Sequence, residues 1–288
     1  MLRHAKTRKY LRTAMALFYS ALLLNSCSST DQSADKNKKT IHAHGEYIYR
    51  LHDENLFAPP LPEKKGTEPY PWEKIVVGNL PTLTKEYFRC KGSSLNPIRT
   101  VAQQGETVRC MDCGGSEKHS LPLRNGKEYI YPILIDVLNY IQFKTGKRAV
   151  ITSGHRCPEH NIYVDASLPN QHSKHLIGAE VSFYVQGMED KPDHIVKIIQ
   201  NYYKEMPQYK GKQDFEDFKR YEKEDTDVST LPWFNKELFI KLYAKNEGRD
   251  FDNRHPYPYI SLQVRYDMEL NEKVVFTWDK ALKNYFRK

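Results

Sequence analysis

Ala149-Val150-Ile151-Thr152 runs directly into Ser153-Gly154-His155-Arg156-Cys157-Pro158-Glu159-His160-Asn161. A short apolar, β-branched run followed by a glycine and a proline reads as a buried strand that ends in a polar turn. Upstream, Ile130, Ile133, Leu134, Val137, Leu138 and Ile141 recur with the helical period. Pro132 suits the first turn of that helix and Gly146 its C-terminal cap. Downstream, Gly178 to Val185 (GAEVSFYV) reads as a second strand, and Ile195, Val196, Ile199, Tyr202 and Tyr203 mark a second helix opened by Pro192.

Tyr259 to Tyr266 (YISLQVRY) alternates as a strand, with Lys273 to Trp278 (KVVFTW) as its expected partner. Ala281, Leu282, Tyr285 and Phe286 mark a short closing helix. Residues 207–229 are densely charged without a period and read as a surface insertion. Phe234, Leu238, Phe239 and Leu242 predict a further helix within or after it, so that the insertion extends over about 207–255. Helices and antiparallel strands in this order predict an α+β domain, an antiparallel sheet with helices packed on it. No internal repeat is present.

The first 26 residues have the layout of a secretory signal. Arg3, Lys6, Arg8, Lys9 and Arg12 precede an uncharged run of 11 residues, Ala14 to Leu24. A membrane-spanning helix needs about 20 apolar residues, so the run is too short to cross. It ends in Leu24-Asn25-Ser26-Cys27, which resembles the bacterial lipoprotein signal, with Cys27 the residue lipidated after cleavage. Acylation at Cys27, palmitate among the acyl chains, would anchor the protein stably to an envelope membrane. The expected organisation is a signal peptide (1–26), a flexible tether (27–45), a Pro-rich extended segment (46–86) and a main domain (87–288). The Pro-rich segment is expected to pack through Trp72, Ile75 and Val76.

The full chain carries a net charge of +8, but five of its 44 Lys and Arg and none of its acids lie in residues 1–26. The remainder holds 39 basic against 36 acidic residues, and no basic stripe interleaved with aromatics, which excludes nucleic acid as the expected partner.

With Cys27 assigned to the lipid, Cys90, Cys110, Cys113 and Cys157 remain. An even number in an exported protein favours structural disulfides, with the connectivity open. The alternative is a structural zinc built on Cys110-x-x-Cys113.

Chemistry-bearing residues concentrate in three segments: the turn Ser153–Asn161, the run Ser173-Lys174-His175-Leu176-Ile177-Gly178, and the strand Ile260-Ser261-Leu262-Gln263-Val264-Arg265. Their order, an Arg turn, a Ser-x-His-x-x-Gly segment before a strand, and a distant strand, resembles the zinc D-Ala-D-Ala carboxypeptidase family over about residues 87 to 280. Cys110-Met111-Asp112-Cys113-Gly114 also looks similar to a Cys-x-Cys-Gly segment of that family. The resemblance implies a carboxypeptidase-like fold and hydrolysis of peptidoglycan stem peptides. It further implies a substrate-facing role for Arg156 with Ser153 and Ser173, and a metal-ligand role for His175.

The family's two other metal ligands, an Asp and a His, fall on Ser182 and Ser261, and Gln263 stands where the family has an acid. A catalytic zinc needs about three protein ligands and one open position. One imidazole and two neutral hydroxyls do not meet that need, so no cofactor is expected at this place. The favoured reading is therefore an envelope lipoprotein with a degenerate carboxypeptidase-like domain that binds stem peptide or an envelope partner rather than cleaving it. The alternatives are an active zinc D,D-peptidase with relocated ligands (Glu180 as the candidate catalytic residue and ligand, with His175 and His255), and a structural lipoprotein without a small ligand.

Overall fold

Six strands form the main sheet: β1 (Ala149–Ser153), β2 (Glu180–Val185), β3 (Lys219–Arg220), β4 (Trp233–Phe234), β5 (Leu238–Tyr243) and β6 (Tyr259–Val264). They lie in the order β1-β2-β6-β5-β4-β3, antiparallel throughout. This computed structural model describes residues 74–103, 105–116, 119–167 and 169–283. The signal peptide, the tether with Cys27, and most of the Pro-rich segment with Trp72 lie outside the described residues.

Helices α1 (Pro132–Thr145) and α3 (Pro192–Glu205) cover one face of the sheet. Both start on proline, whose missing N–H is not needed in a first turn, and α1 ends on Gly146 in the left-handed region at φ 63°. Between them, α2 (Pro158–Val164) follows β1, and a last helix, α4 (Trp278–Lys283), closes the described chain. Leu134, Val137, Leu138 and Ile141 of α1 and Ile195, Ile199 and Tyr203 of α3 are buried together with Val181 and Phe183 of β2, Ile240 of β5 and Leu262 of β6. The register sets Phe183 opposite Ile260 and Val181 opposite Leu262, so alternate residues of β2 and β6 supply one continuous apolar face. The domain is α+β, with an antiparallel sheet, as the pattern predicts.

Alternation along the same strands puts Glu180 and Ser182 of β2 and Ser261 and Gln263 of β6 on the opposite face. Ser182 pairs directly with Ser261, and Glu180 with Gln263. That face is also covered: Glu180, Ser182 and Ser261 are all buried. The cover is the turn after β1 and the loop 244–258 between β5 and β6. A break in register between Ile151 and Ser153 marks a β-bulge at the end of β1. Bulges bend a strand and re-aim its side chains, and this one lies directly before the turn that carries Arg156.

Four expectations change. Residues 233–243 form β4 and β5 instead of a helix, because Leu238, Ile240 and Leu242 alternate inward while Phe239 and Lys241 remain half-buried. Their spacing of two satisfies a sheet between β6 and β4, a pairing that local periodicity does not reveal. The insertion of 207–255 thereby loses its middle to the main sheet, and its charged part holds a short helix, Gln213–Glu216, and β3. Of KVVFTW, only Lys273 lies in a strand, where Glu272–Lys273 pairs with Tyr266–Asp267. Ile75 and Val76 are more than half exposed; Leu83 and Phe88 make the packing contacts assigned to them.

Phe88 brings the N-terminal part of the domain onto the Arg turn. The His155 N–H donates to the Phe88 carbonyl at 2.7 Å. A Cβ built on Gly154 would lie 2.6 Å from the Phe88 Cα and carbonyl oxygen, a distance only glycine permits. Gly154→Ala is expected to cost about 1–3 kcal/mol through this overpacking. Denaturant unfolding of the variant checks it; unchanged stability would show that the backbone contact is not as tight as described.

Candidate functional site

Arg156 is held in place by its own turn and by the loop 244–258. Its Nε donates to Ser153 Oγ at 2.7 Å and to Asp252 Oδ2 at 3.0 Å, and its Nη2 donates to Asp250 Oδ2 at 2.8 Å. The residue is only 2% exposed. Burial disfavours its charge, but Asp250 and Asp252 more than compensate, so the guanidinium stays protonated at all ordinary pH. Ser153 Oγ donates in turn to Asp252 Oδ2 at 2.8 Å. Asp250 Oδ1 accepts from the backbone and side chain of Asn253, at 2.9 and 2.8 Å, and Thr152 Oγ1 donates to Asn253 Oδ1 at 2.6 Å.

The loop carrying these acids is organised by Arg249. Its guanidinium donates to the carbonyls of Ala244, Lys245, Asn253, His255 and Tyr257 at 2.9–3.1 Å. Five carbonyls on one rigid fork fix a loop that has no regular structure.

Behind the Arg turn, the Arg156 N–H donates to the His175 carbonyl at 3.3 Å. Ser173 caps the 3-10 turn Lys174–Ile177 by accepting from the His175 N–H at 3.2 Å, and its Oγ lies 3.4 Å from Glu180 Oε2. His175 is buried, with Nδ1 2.6 Å from the Gly154 carbonyl, so Nδ1 carries the proton and Nε2 faces Glu180 Oε1 at 3.7 Å. Burial pushes the His175 pKa down, which keeps the ring neutral near pH 7. Glu180 Oε1 accepts from Ser261 Oγ at 2.8 Å and Gln263 Nε2 at 3.0 Å. Burial would raise the pKa of this carboxyl; the positive charge that His175 takes up in acid, together with these donors, outweighs it and brings it down to about 2.

Cys27 lies outside the described residues, and the residues assigned to the Arg-turn site from sequence all lie within them. Ser153, Arg156, Ser173, His175, Glu180, Ser182 and Ser261 come together around β2, β6 and the Arg turn. They do so as a closed network: Ser153 and Ser173 bind neighbouring side chains and backbone, and Ser261 donates to Glu180. His255 does not join; its ring packs against Tyr184 and Tyr259 at 5.1 and 5.6 Å. His172 packs on Phe276 at 5.4 Å. Among the described residues, no third metal-ligating group accompanies His175 and Glu180. A catalytic ion does not fit here, because Glu180's oxygen is taken by two donors and the aligned hydroxyls are neutral.

The cysteines have a separate geometry. Cys90, Cys113 and Cys157 are buried together, and the ligand atoms of Cys90, Cys113, His119 and Cys157 all lie within 4.8 Å of one another. The expected disulfides are absent among the described residues, where all four cysteines are free. Cys90 and Cys113 Sγ stand 3.9 Å apart, whereas a bond needs about 2.05 Å. Three sulfurs converge on a shared centre, so no two are paired off. Cys110 lies apart, with Sγ 3.7 Å from the Met111 carbonyl oxygen, so the expected C-x-x-C pair is not the unit that assembles.

His160 links this cluster to the Arg turn. Its Nδ1 lies 2.7 Å from Asp112 Oδ1 and its Nε2 3.1 Å from Asp252 Oδ1. Asp112, His119, Asp250 and Asp252 are the contributors that sequence reading overlooks. The acidic turn Asp250-Phe251-Asp252-Asn253 after Gly248 and the spacing Cys113-x5-His119 are the signals available for them.

The chain matches no family model, no curated protein and no solved structure.

The Glu180 carboxylate predicts an acid-side dependence. Its folded-state pKa lies below the ordinary 4.5, so its contribution to stability is complete above about pH 4.5 and is lost as the pH falls toward 2. In unfolding curves against pH, the advantage of the native chain over Glu180→Gln is expected to shrink through that window. A difference that stays constant down to pH 2 would mean the carboxylate is not stabilised as described.

Proposed function

We propose that this chain is an exported lipoprotein, anchored through Cys27 to an envelope membrane, whose carboxypeptidase-like domain is not hydrolytic and serves as a structural or partner-holding module. The observation that supports this most is the internal consumption of the site. The groups a hydrolase would turn toward substrate and metal are occupied by one another: Arg156 by Ser153, Asp250 and Asp252, and Glu180 by Ser261 and Gln263. Buried ion pairs of this kind cost several kcal/mol to break from one side, because the remaining charge is left unpaired.

Stem-peptide binding through Arg156 is the second reading, carried by the Arg turn and its likeness to the carboxypeptidase pattern. It requires the guanidinium to exchange one aspartate for a peptide carboxylate, which is bidentate chemistry an arginine suits. Burial of Arg156 at 2% exposure favours the structural role.

The full chain is expected to release no D-alanine from a D-Ala-D-Ala pentapeptide, with or without added zinc. It is expected to incorporate labelled palmitate in a bacterial host, and Cys27→Ser to abolish that label. Arg156→Ala is expected to destabilise the fold by about 3–5 kcal/mol. Turnover above background would overturn the non-hydrolytic reading. Wall binding lost in a stably folded Arg156→Ala variant would move the role to peptide recognition.

A further inference from the structure

We infer that Cys90, Cys113, His119 and Cys157 form a closed, four-coordinate zinc site that fastens the N-terminal part of the domain to the Arg turn. The four residues come from three separate places: the segment after the 3-10 turn Lys85–Phe88, the loop before α1, and the residue that opens α2. The backbone bond from His155 to Phe88 brings the first of these places near the third, and among the described residues no strand pairing joins the Cys113–His119 loop to either. Their ligand atoms nevertheless fall within 4.8 Å of one another, and the residues are 5%, 7%, 3% and 0% exposed in the order named.

The spacing is that of ligands. Two sulfurs each about 2.3 Å from one tetrahedral ion stand about 3.8 Å apart. Cys90 and Cys113 Sγ are separated by 3.9 Å. Three thiolates and one imidazole suit a borderline-soft ion and exclude calcium and magnesium, which take oxygen ligands. Four protein ligands leave no position for water, so the ion would be structural.

The surrounding chain is shaped for the sulfurs. A Cβ on Gly92 would lie 2.1 Å from Cys113 Sγ, so glycine at this place makes the room the sulfur occupies. The His160 N–H points at Cys157 Sγ at 3.4 Å, and Asp112, next to Cys113, accepts from the Ser93 N–H at 2.9 Å and the Asn96 side chain at 2.6 Å. Donors to the sulfurs and bonds that orient the neighbouring residues are what a metal centre's outer shell provides. Because such a site does not exist in the unfolded chain, the free energy of binding is also free energy of folding. The ion would act as a staple across residues 90–157, tying the short hairpins that precede α1 to the turn that follows β1. It would also protect three thiols from oxidation outside the cytoplasm.

The test is the full chain, purified in detergent without chelator and analysed for metal by inductively coupled plasma mass spectrometry. One zinc per chain is expected, retained in Cys110→Ser and in the double variant His175→Ala/Glu180→Ala, and lost in Cys157→Ser and His119→Ala. Since a ligand variant can fail for want of folding, two measurements use the native chain. Cobalt exchanged for zinc should show the intense visible absorption of a tetrahedral thiolate site, and Cys110 should alkylate quickly while Cys90, Cys113 and Cys157 are protected until metal is chelated. A disulfide between any two of those three, or four thiols alkylating at one rate in a metal-free chain, would overturn the inference. So would zinc that survives Cys157→Ser but leaves with His175 and Glu180. That last outcome together with turnover would count against the non-hydrolytic reading, whereas zinc on the sulfurs without turnover leaves that reading intact.

Discussion

A buried guanidinium cannot be left without counter-charges, and the arrangement of this domain around Arg156 follows from that. Arg156 sits on the turn after β1, and its charge is met by Asp250 and Asp252, nearly a hundred residues further along the chain. To deliver those acids, the loop 244–258 must fold back over the polar face of the sheet. Arg249 gathers five of the loop's carbonyls to make that possible. With the loop in place, the polar face of the sheet is covered, and β6 is buried on both sides.

The same cover explains the state of the residues beneath it. Glu180 is excluded from water and must find partners in the protein. Ser261 and Gln263, across the strand pair, supply two donors. Donors and acceptor are matched: neutral donors on β6 complement a carboxylate on β2, and a neutral His175 completes the pocket with Nδ1 tied to the Gly154 carbonyl. Such a set needs no cation to be satisfied. It also leaves little for a cation to bind, since both Glu180 oxygens already accept from neighbours.

The polar network and the thiol cluster are joined through His160, which lies between Asp112 and Asp252. Asp112 is adjacent to Cys113, and Asp252 contacts Arg156. Any force that fixes the cluster therefore also fixes the Arg turn. Two contacts hold the irregular N-terminal part to the Arg turn itself: the glycine contact between Gly154 and Phe88, and the convergence of Cys90, Cys113, His119 and Cys157.

The residues whose local pattern matches one element were legible in advance. The helix from Pro132 to its Gly146 cap, the helix from Pro192, and the strands at 149, 180 and 259 all follow from periodicity and cap residues, which act within a few positions. Placement of Ser182 opposite Ser261 agrees with the alternation of both strands. What local pattern missed is what distance along the chain conceals. Residues 233–243 became strands because β6 offered an edge to pair with, and Leu238, Ile240 and Leu242 had an apolar face to meet. Arg156 found Asp250 and Asp252 far along the chain, and Cys113 found Cys90, Cys157 and His119 instead of Cys110. Sequence alone determined the α+β class and the amphipathic faces, since each is a property of residue type and spacing. Only the tertiary structure decided which charges and sulfurs meet, because burial of a charge or a thiol is resolved by whichever partner the folded chain brings within about 3–4 Å.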